Sequence, residues 1–254
     1  MGLFKRLFGR NKETLHTKVK ITHEYVKHDV HKVPSAKVLY KKTCPEMIRY
    51  KIRGRNNQTQ RLCTVKMVAL ASDDQNAVIA ATNLYDVQSC EVILPDPATE
   101  RQINYAADLG IINPEQYSKD DMSCLITRAT HEEDRDDMTP VDQSLAKMAT
   151  QYGIYLSVFS GEKRALDCLW LKFTEEEKIR FLIFCIHQNL LRKQTYDLEQ
   201  SSFIDLYDRF VKDYHNDQRL LRSLSNYIGS DLSLHKELNK QRNAYKIVSE
   251  YLSK

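Results

Sequence analysis

The chain has 254 residues, 42% of them hydrophobic and 28% charged, and its apolar runs are far shorter than the about 20 residues of a membrane-spanning helix. Its formal charge of +4 is divided unevenly, because residues 1–66 hold 17 Lys and Arg against 4 Asp and Glu, whereas residues 67–254 hold 21 against 30. These numbers exclude a membrane-spanning protein and indicate a globular chain whose first quarter meets a polyanion, either nucleic acid or an anionic membrane surface.

Residues 1–17 are predicted to form a basic amphipathic arm. On a helix its apolar side chains share one side, and the residues that would meet a membrane surface are Leu3, Phe4, Lys5, Arg6, Leu7 and Phe8. Cationic amphipathic segments lie in the headgroup region of a bilayer, although so few buried side chains usually need a second signal. A groove on this protein or on a partner is the alternative location for the same apolar residues.

Residues 18–96 are predicted to form a small basic α+β domain. Apolar and polar side chains alternate over residues 18–25, and most clearly over residues 48–53, which is typical of half-buried strands. A further short strand is predicted over residues 37–41. A turn-rich stretch separates the strand at 48–53 from another alternating run at 61–71, so these two strands are expected to form a hairpin.

One helix is predicted to cover this sheet. It is capped by Asp73 or Asp74 and runs to about residue 84, and a strand follows over residues 90–94. The helix would cover the apolar face of the sheet and leave the opposite face to basic side chains. Because Tyr50 falls on the apolar face, the basic face is expected to lack an aromatic side chain for stacking with bases.

The basic face and the adjoining turn form the candidate nucleic-acid interface. Its predicted residues are Arg49, Lys51, Arg53, Arg55, Arg61 and Lys66. Long cationic side chains on one strand face can follow a phosphate backbone, which positions a protein without reading base sequence. The alternative interpretation is a solvated face whose charges protect the sheet from unwanted pairing.

Beyond this domain the sequence predicts almost only helices. Two short, capped helices indicate a helical hairpin over residues 97–130, and an acidic run indicates a linker over residues 131–140. A helical bundle is predicted over residues 141–254, with its most apolar helix at the centre. The helices of the bundle are expected at residues 143–152, 162–171, 175–191, 203–214, 218–227 and 237–252.

No catalytic or metal-binding motif stands out. The residues that invite a zinc interpretation are His16, His23, His28, His31 and Cys44. Their spacings lack the paired ligands of zinc sites. Adjacent acids such as Asp120 and Asp121 could be imagined as ligands of a divalent ion, but consecutive acids usually face water in different directions. Glycine-rich phosphate loops and the G-x-S-x-G turn of hydrolases are also missing from the sequence. The sequence therefore predicts no enzyme activity, no metal and no cofactor.

The six cysteines are dispersed and include no C-x-x-C pair. Several lie inside apolar runs, which is typical of buried thiols. Together with the missing signal-peptide pattern, they predict reduced cysteines in a cytoplasmic protein.

Several runs resemble a largely uncharacterised group of bacterial proteins found in Gram-positive genomes and mobile elements. These runs are residues 53–61 (RGRNNQTQR), 97–111 (PATERQINYAADLGI), 121–126 (DMSCLI), 223–232 (SLSNYIGSDL) and 243–246 (NAYK). The T-x-x-Q-I-x-Y-A-x-x-L-G-I pattern within the second run resembles SAP-like helical hairpins attached to DNA-handling proteins. The resemblance implies an association with nucleic acid and implies no catalytic residue.

Two functions from different classes follow from the sequence. The leading prediction is a non-enzymatic, nucleic-acid-associated accessory protein of the α+β class, which binds DNA or RNA through the basic hairpin and a protein partner through the bundle. The alternative is a peripheral membrane or assembly adaptor that docks through its N-terminal arm.

Overall fold

A three-stranded antiparallel sheet and a series of helices make up the computed structural model, which describes residues 40–130 and 139–254. The predicted α+β class is confirmed, and the described residues belong to one compact unit. The predicted arm at 1–17, the predicted strand at 18–25 and nearly all of the predicted linker at 131–140 lie outside the described residues. The predicted division into domains stays a prediction.

The sheet is built on a long hairpin, as predicted. β1 (Met47–Asn56) pairs antiparallel with β2 (Leu62–Leu70), and β3 (Leu84–Ile93) pairs with the other side of β1. The strand order is therefore β2-β1-β3, with β1 in the centre. The side chain of Asn56 closes the hairpin turn, because its Oδ1 accepts two backbone N–H groups of the turn at 3.0 Å.

α1 (Gln75–Ala80) is shorter than predicted. Asp74 caps it, since its carboxylate accepts a backbone N–H of the first turn at 3.2 Å. Asn83 then adopts left-handed backbone angles, with φ at 56°, and this turns the chain away from the helix. As a result Leu84 begins β3, whereas the sequence predicted a helix to that residue and a strand only from residue 90.

A β-bulge interrupts β3. The register shifts between Arg53, which pairs with Ser89, and Arg55, which pairs with Tyr85. Gly54 lies between them, and a Cβ atom there would be 3.1 Å from the carbonyl oxygen of Tyr85. Glycine therefore permits the close approach of the two strands at the bulge. In the shifted register Tyr85 lies directly opposite Arg55, and the two side chains share one side of the sheet.

α1 closes the apolar face of the sheet. Tyr50 and Ile52 of β1 pack there with Val78 of α1 and Leu84 of β3, and Ile52 is fully buried. The prediction that Tyr50 faces the apolar side is confirmed.

The opposite face, which carries the basic side chains, is buried at one end. Met47, Val68 and Leu70 belong to the same hydrophobic core as the bundle helices. The backbone N–H of Leu156 also donates to Sδ of Met47 at 3.3 Å. The outer face is therefore not open along its whole length, as the sequence had suggested, but only from about Lys51 onward.

The predicted helical hairpin is present. α2 (Glu100–Asp108) and α3 (Lys119–Thr130) are joined through a short 3₁₀ helix at Pro114–Gln116. Gln102 completes a capping box at the start of α2, and its Nε2 also donates to Oγ of Ser123 on α3 at 3.0 Å. One side chain thus both caps the first helix and links it to the second.

The segment before β1 packs beside this hairpin. Tyr40 lies against the core of the hairpin, and the backbone N–H groups of Thr43 and Cys44 donate to the carbonyl of Val158 at 2.8 and 3.1 Å. These contacts hold the segment in an irregular conformation. The two described residues of the strand predicted at 37–41 accordingly lie outside any strand.

The bundle follows from residue 141. Its helices are α4 (Gln143–Gln151), α5 (Glu162–Lys172), α6 (Glu175–Leu190), α7 (Ile204–Tyr214), α8 (Gln218–Leu224) and α9 (Asn243–Leu252), with a 3₁₀ helix at Gly229–Leu232. α6 is central, as predicted, since eight of its 16 residues are buried. Thr174 and Glu177 form a capping box at its start, which agrees with the predicted beginning of this helix at residue 175.

α9 begins later than residue 237, where the sequence placed its start. Oδ1 of Asn239 accepts the backbone N–H of Gln241 at 3.0 Å, which forms a turn in place of a helix. The guanidinium of Arg242 lies 4.2 Å from the ring centroid of Tyr227 and pairs with Asp231 at 3.1 Å. These contacts anchor the chain immediately before the helix.

Glu162 begins α5 with a carboxylate that is buried, at 2% exposure. Its two oxygens accept hydrogen bonds from the hydroxyls of Tyr196 and Ser233, the second at 2.8 Å. Burial raises the pKa of the Tyr196 hydroxyl far above its usual range, so the hydroxyl stays protonated and donates. The carboxylate therefore ties α5 to the segments that follow α6 and precede α9.

We expect Glu162→Ala to lower the free energy of unfolding by about 2 kcal/mol or more, because two buried hydroxyls lose their acceptor. Glu250→Ala, on the exposed side of α9, serves as the matched control and should change stability by less than about 0.5 kcal/mol. Urea denaturation of both variants measures the difference. Equal stability of the two variants would contradict a supporting role for the buried carboxylate.

Candidate functional site

The open part of the outer sheet surface, which we call the cationic face, consists of exposed side chains from all three strands. Lys51 and Arg53 lie on the central strand, about 6.6 Å apart because they are two residues apart along a strand. In the strand register, Lys51 is flanked by Lys66 and Glu91, and Arg53 is flanked by Thr64 and Ser89. The residues on both sides of Arg53 are therefore short and polar, so its side chain is not covered.

Three of the six predicted cations are paired with acids. Arg49 lies 3.2 Å from a carboxylate oxygen of Asp120, Lys51 lies 3.7 Å from Glu91, and Arg55 lies 3.4 Å from Asp86. The pairs of Lys51 and Arg55 are about half exposed and are therefore weak in water. They reduce the net charge of the cationic face without removing these side chains from solvent.

Arg49 differs from the other five cations because it is only partly exposed. Its guanidinium carbon lies 4.2 Å from the ring centroid of Tyr155, and its Nη2 donates to Asp120 at the start of α3. A guanidinium held between an aromatic ring and a carboxylate is compensated in both charge and shape. Arg49 thus joins the sheet to the hairpin and the bundle, and little of it is left to meet a ligand.

Arg53, Arg61 and Lys66 are exposed and form no ion pair with any described residue. Arg53 and Lys66 share the cationic face, and Arg61 lies in the hairpin turn at its end. An unpaired surface cation keeps its full attraction for a ligand anion. These three residues are therefore the part of the predicted set that can best contact a polyanion.

Tyr85 is an aromatic side chain that the sequence did not assign to this face. It is 38% exposed, and it pairs across the strands with Arg55. Its hydroxyl donates to Oε1 of Gln60 in the hairpin turn, and Nε2 of Gln60 donates to the carbonyl of Asn57 at 2.8 Å. The expectation that the basic face lacks an aromatic side chain is therefore wrong, because β3 already begins at Leu84 and its pairing with β1 places Tyr85 opposite Arg55.

The sequence contains only a weak signal for the early start of β3, which places Tyr85 on this face. Asn83 and Asp86 both have left-handed backbone angles, with φ at 56° and 49°, and Asn and Asp are the residues that adopt these angles most readily after glycine. Their spacing indicates an irregular strand start, but Leu84 also fits the apolar spacing of the preceding helix. Only the pairing of β3 with β1 decides between a continued helix and the start of a strand at Leu84.

Two adjacent acids of the helical hairpin are occupied by internal contacts. Asp120 pairs with Arg49, while the carboxylate of Asp121 accepts hydroxyl hydrogen bonds from Ser118 at 2.7 Å and from Ser157 at 2.6 Å. Among the described residues, no group of three or more His, Cys, Asp and Glu is arranged to hold a metal ion. The two adjacent carboxylates therefore serve helix capping and packing.

The alternative membrane-binding set, residues 3–8, lies outside the described residues, as do the four N-terminal histidines. Within residues 40–130 and 139–254, none of the helices combines the length and the apolar character that a bilayer crossing requires.

Comparison with known proteins found no matching family model, no matching curated protein and no matching solved structure. The resemblance of the hairpin to SAP-like modules stays a prediction.

We expect Arg49→Ala to lower the free energy of unfolding by about 1–2 kcal/mol, because the ring of Tyr155 and the carboxylate of Asp120 both lose their partner. Arg53→Ala is the matched control on the same strand, and it should alter stability by less than about 0.5 kcal/mol. Thermal or chemical denaturation of the two variants provides the measurement. If Arg53→Ala proved the more destabilising of the two, the structural role of Arg49 would be refuted.

Proposed function

We propose that this protein is a non-enzymatic, nucleic-acid-associated accessory protein that binds the phosphate backbone through the cationic face. The observation that carries the proposal is a group of three exposed cations at one end of a single sheet. None of the three has an acidic partner among the described residues, and they are Arg53, Arg61 and Lys66. The paired but exposed side chains of Lys51 and Arg55 extend the same row.

Binding of this kind is electrostatic and independent of base sequence. Each Lys or Arg that neutralises a phosphate releases a condensed counterion, so affinity falls as salt rises. The acids near the face are individually paired and leave a net positive charge, which steers a polyanion toward it. The weak ion pairs of Lys51 and Arg55 can exchange their carboxylates for phosphates at low cost.

The remaining parts of the chain have supporting roles in this proposal. The helical bundle binds a protein partner, and the protein acts in the bacterial cytoplasm, where its thiols stay reduced. The helical hairpin, which resembles SAP-like modules, positions the sheet through Asp120 and Arg49 rather than contacting DNA through its own acids.

Replacing Arg53 and Lys66 together by Ala should weaken binding on the order of tenfold at about 50 mM salt, because two phosphate contacts are lost. The slope of log affinity against log salt should become shallower by about 1.4 for a single strand or about 1.8 for a duplex. Fluorescence anisotropy of the full chain with labelled oligonucleotides between about 50 and 200 mM salt measures both quantities.

The control is the double variant Lys212→Ala with Arg219→Ala, which removes two exposed cations from α7 and α8 of the bundle. It should bind as the unchanged protein does. Equal losses in the two double variants would show that binding depends on the total charge of the protein and not on the cationic face. Deletion of residues 1–12, tested with anionic liposomes, separates the membrane alternative, because only lipid binding should depend on that segment.

A further inference from the structure

We propose that the ligand of the cationic face is a single strand of nucleic acid, with one base stacked on the ring of Tyr85. This inference rests on the proposed function and names the form of the ligand. It starts from the bulge in β3, which brings an exposed aromatic ring beside the row of cations.

The ring of Tyr85 is held in place before any ligand binds. Its hydroxyl donates to Oε1 of Gln60, and Gln60 is itself fixed by the bond from its Nε2 to the carbonyl of Asn57 at 2.8 Å. Nη1 of Arg55 donates to the carbonyl of Gln60 at 3.4 Å, so the turn and the central strand support each other. A ring fixed in this way loses little conformational entropy when a base packs on it.

The surroundings of Tyr85 suit a base and its phosphate together. Leu62 is 40% exposed and lies opposite Arg55 on β2, while Tyr85 lies opposite the same arginine on β3. Arg55 is therefore flanked by two apolar surfaces, and Arg53 follows about 6.6 Å further along the strand. Proteins that bind single strands without sequence preference combine cationic groups for the phosphates with aromatic rings for the bases. Any base can stack on such a ring, because every base has a flat face.

A duplex fits this surface less well. The major groove of DNA admits a helix or a two-stranded ribbon, whereas the cationic face spans three strands and is bounded by the bundle at one end. The bases of a duplex are also stacked on each other and cannot reach Tyr85 unless the helix opens. A duplex would therefore contact the cations through phosphates alone.

The experiment compares two single-stranded probes and a duplex, each with the unchanged protein and with the variants named below, by fluorescence anisotropy of the full chain. One probe is a single-stranded oligonucleotide of about 16 nucleotides, which covers the usual site sizes. The other has the same backbone but abasic sugars at its central positions, so that phosphates are kept while stacking is lost. Both are made as DNA and as RNA, because a contact with the 2′-hydroxyl would separate the two.

We expect Tyr85→Ala to weaken binding of the base-containing strand by about fivefold or more, which corresponds to the lower end of measured base stacking. Binding of the abasic strand and of a duplex should change less than twofold. The preference of the unchanged protein for the base-containing strand should therefore disappear in the variant. Tyr85→Phe keeps the ring and should retain most of that preference.

Tyr105→Ala, which removes an exposed tyrosine from α2, is the control and should bind as the unchanged protein does. The stacking proposal is overturned if Tyr85→Ala leaves the preference for the base-containing strand intact, or if it weakens all probes equally. In either case a loss of binding in the Arg53 and Lys66 double variant would still support the proposed function. If that double variant also binds every probe normally, the proposed function itself fails.

Discussion

The outer surface of the sheet changes from apolar to cationic along its length, and this change sets how the sheet and the helices fit together. Met47, Val68 and Leu70 at one end are buried in the core of the bundle. Arg49 lies at the boundary, where its charge is compensated by Tyr155 and Asp120. Beyond it, an uncompensated charge would be too costly to bury. The bundle therefore stops at Arg49, and the remaining cations stay in solvent.

The parts of this structure that depend on local sequence were predictable. The alternation around residues 48–53 identified the central strand and its two faces, because the side chains of a strand alternate. The start of α6 at residue 175 agrees with the sequence, since Thr174 and Glu177 cap the helix within four residues. The cations that remain open, such as Arg53 and Lys66, followed from the same alternation.

The parts that depend on distant contacts were not predictable. Tyr85 lies on the cationic face because β3 begins at Leu84, and the bulge beside Gly54 places it opposite Arg55. The helical spacing of the residues before Leu84 concealed this start of the strand. Likewise, the partners of Arg49 lie far along the chain, so its structural role could not be separated from a binding role. The late start of α9 depends on Arg242, which is anchored on Tyr227.

Binding of a single strand at the cationic face is tested most directly by mapping the ligand on the protein. A ¹⁵N-labelled full chain titrated with a single-stranded oligonucleotide should show amide chemical-shift changes at residues 51–55, 61–66 and 84–86, which surround the cationic face. The largest changes are expected around Arg53 and Tyr85, and they should shrink as salt rises. Changes confined to the bundle, with β1 and β3 unaffected, would contradict binding at this face.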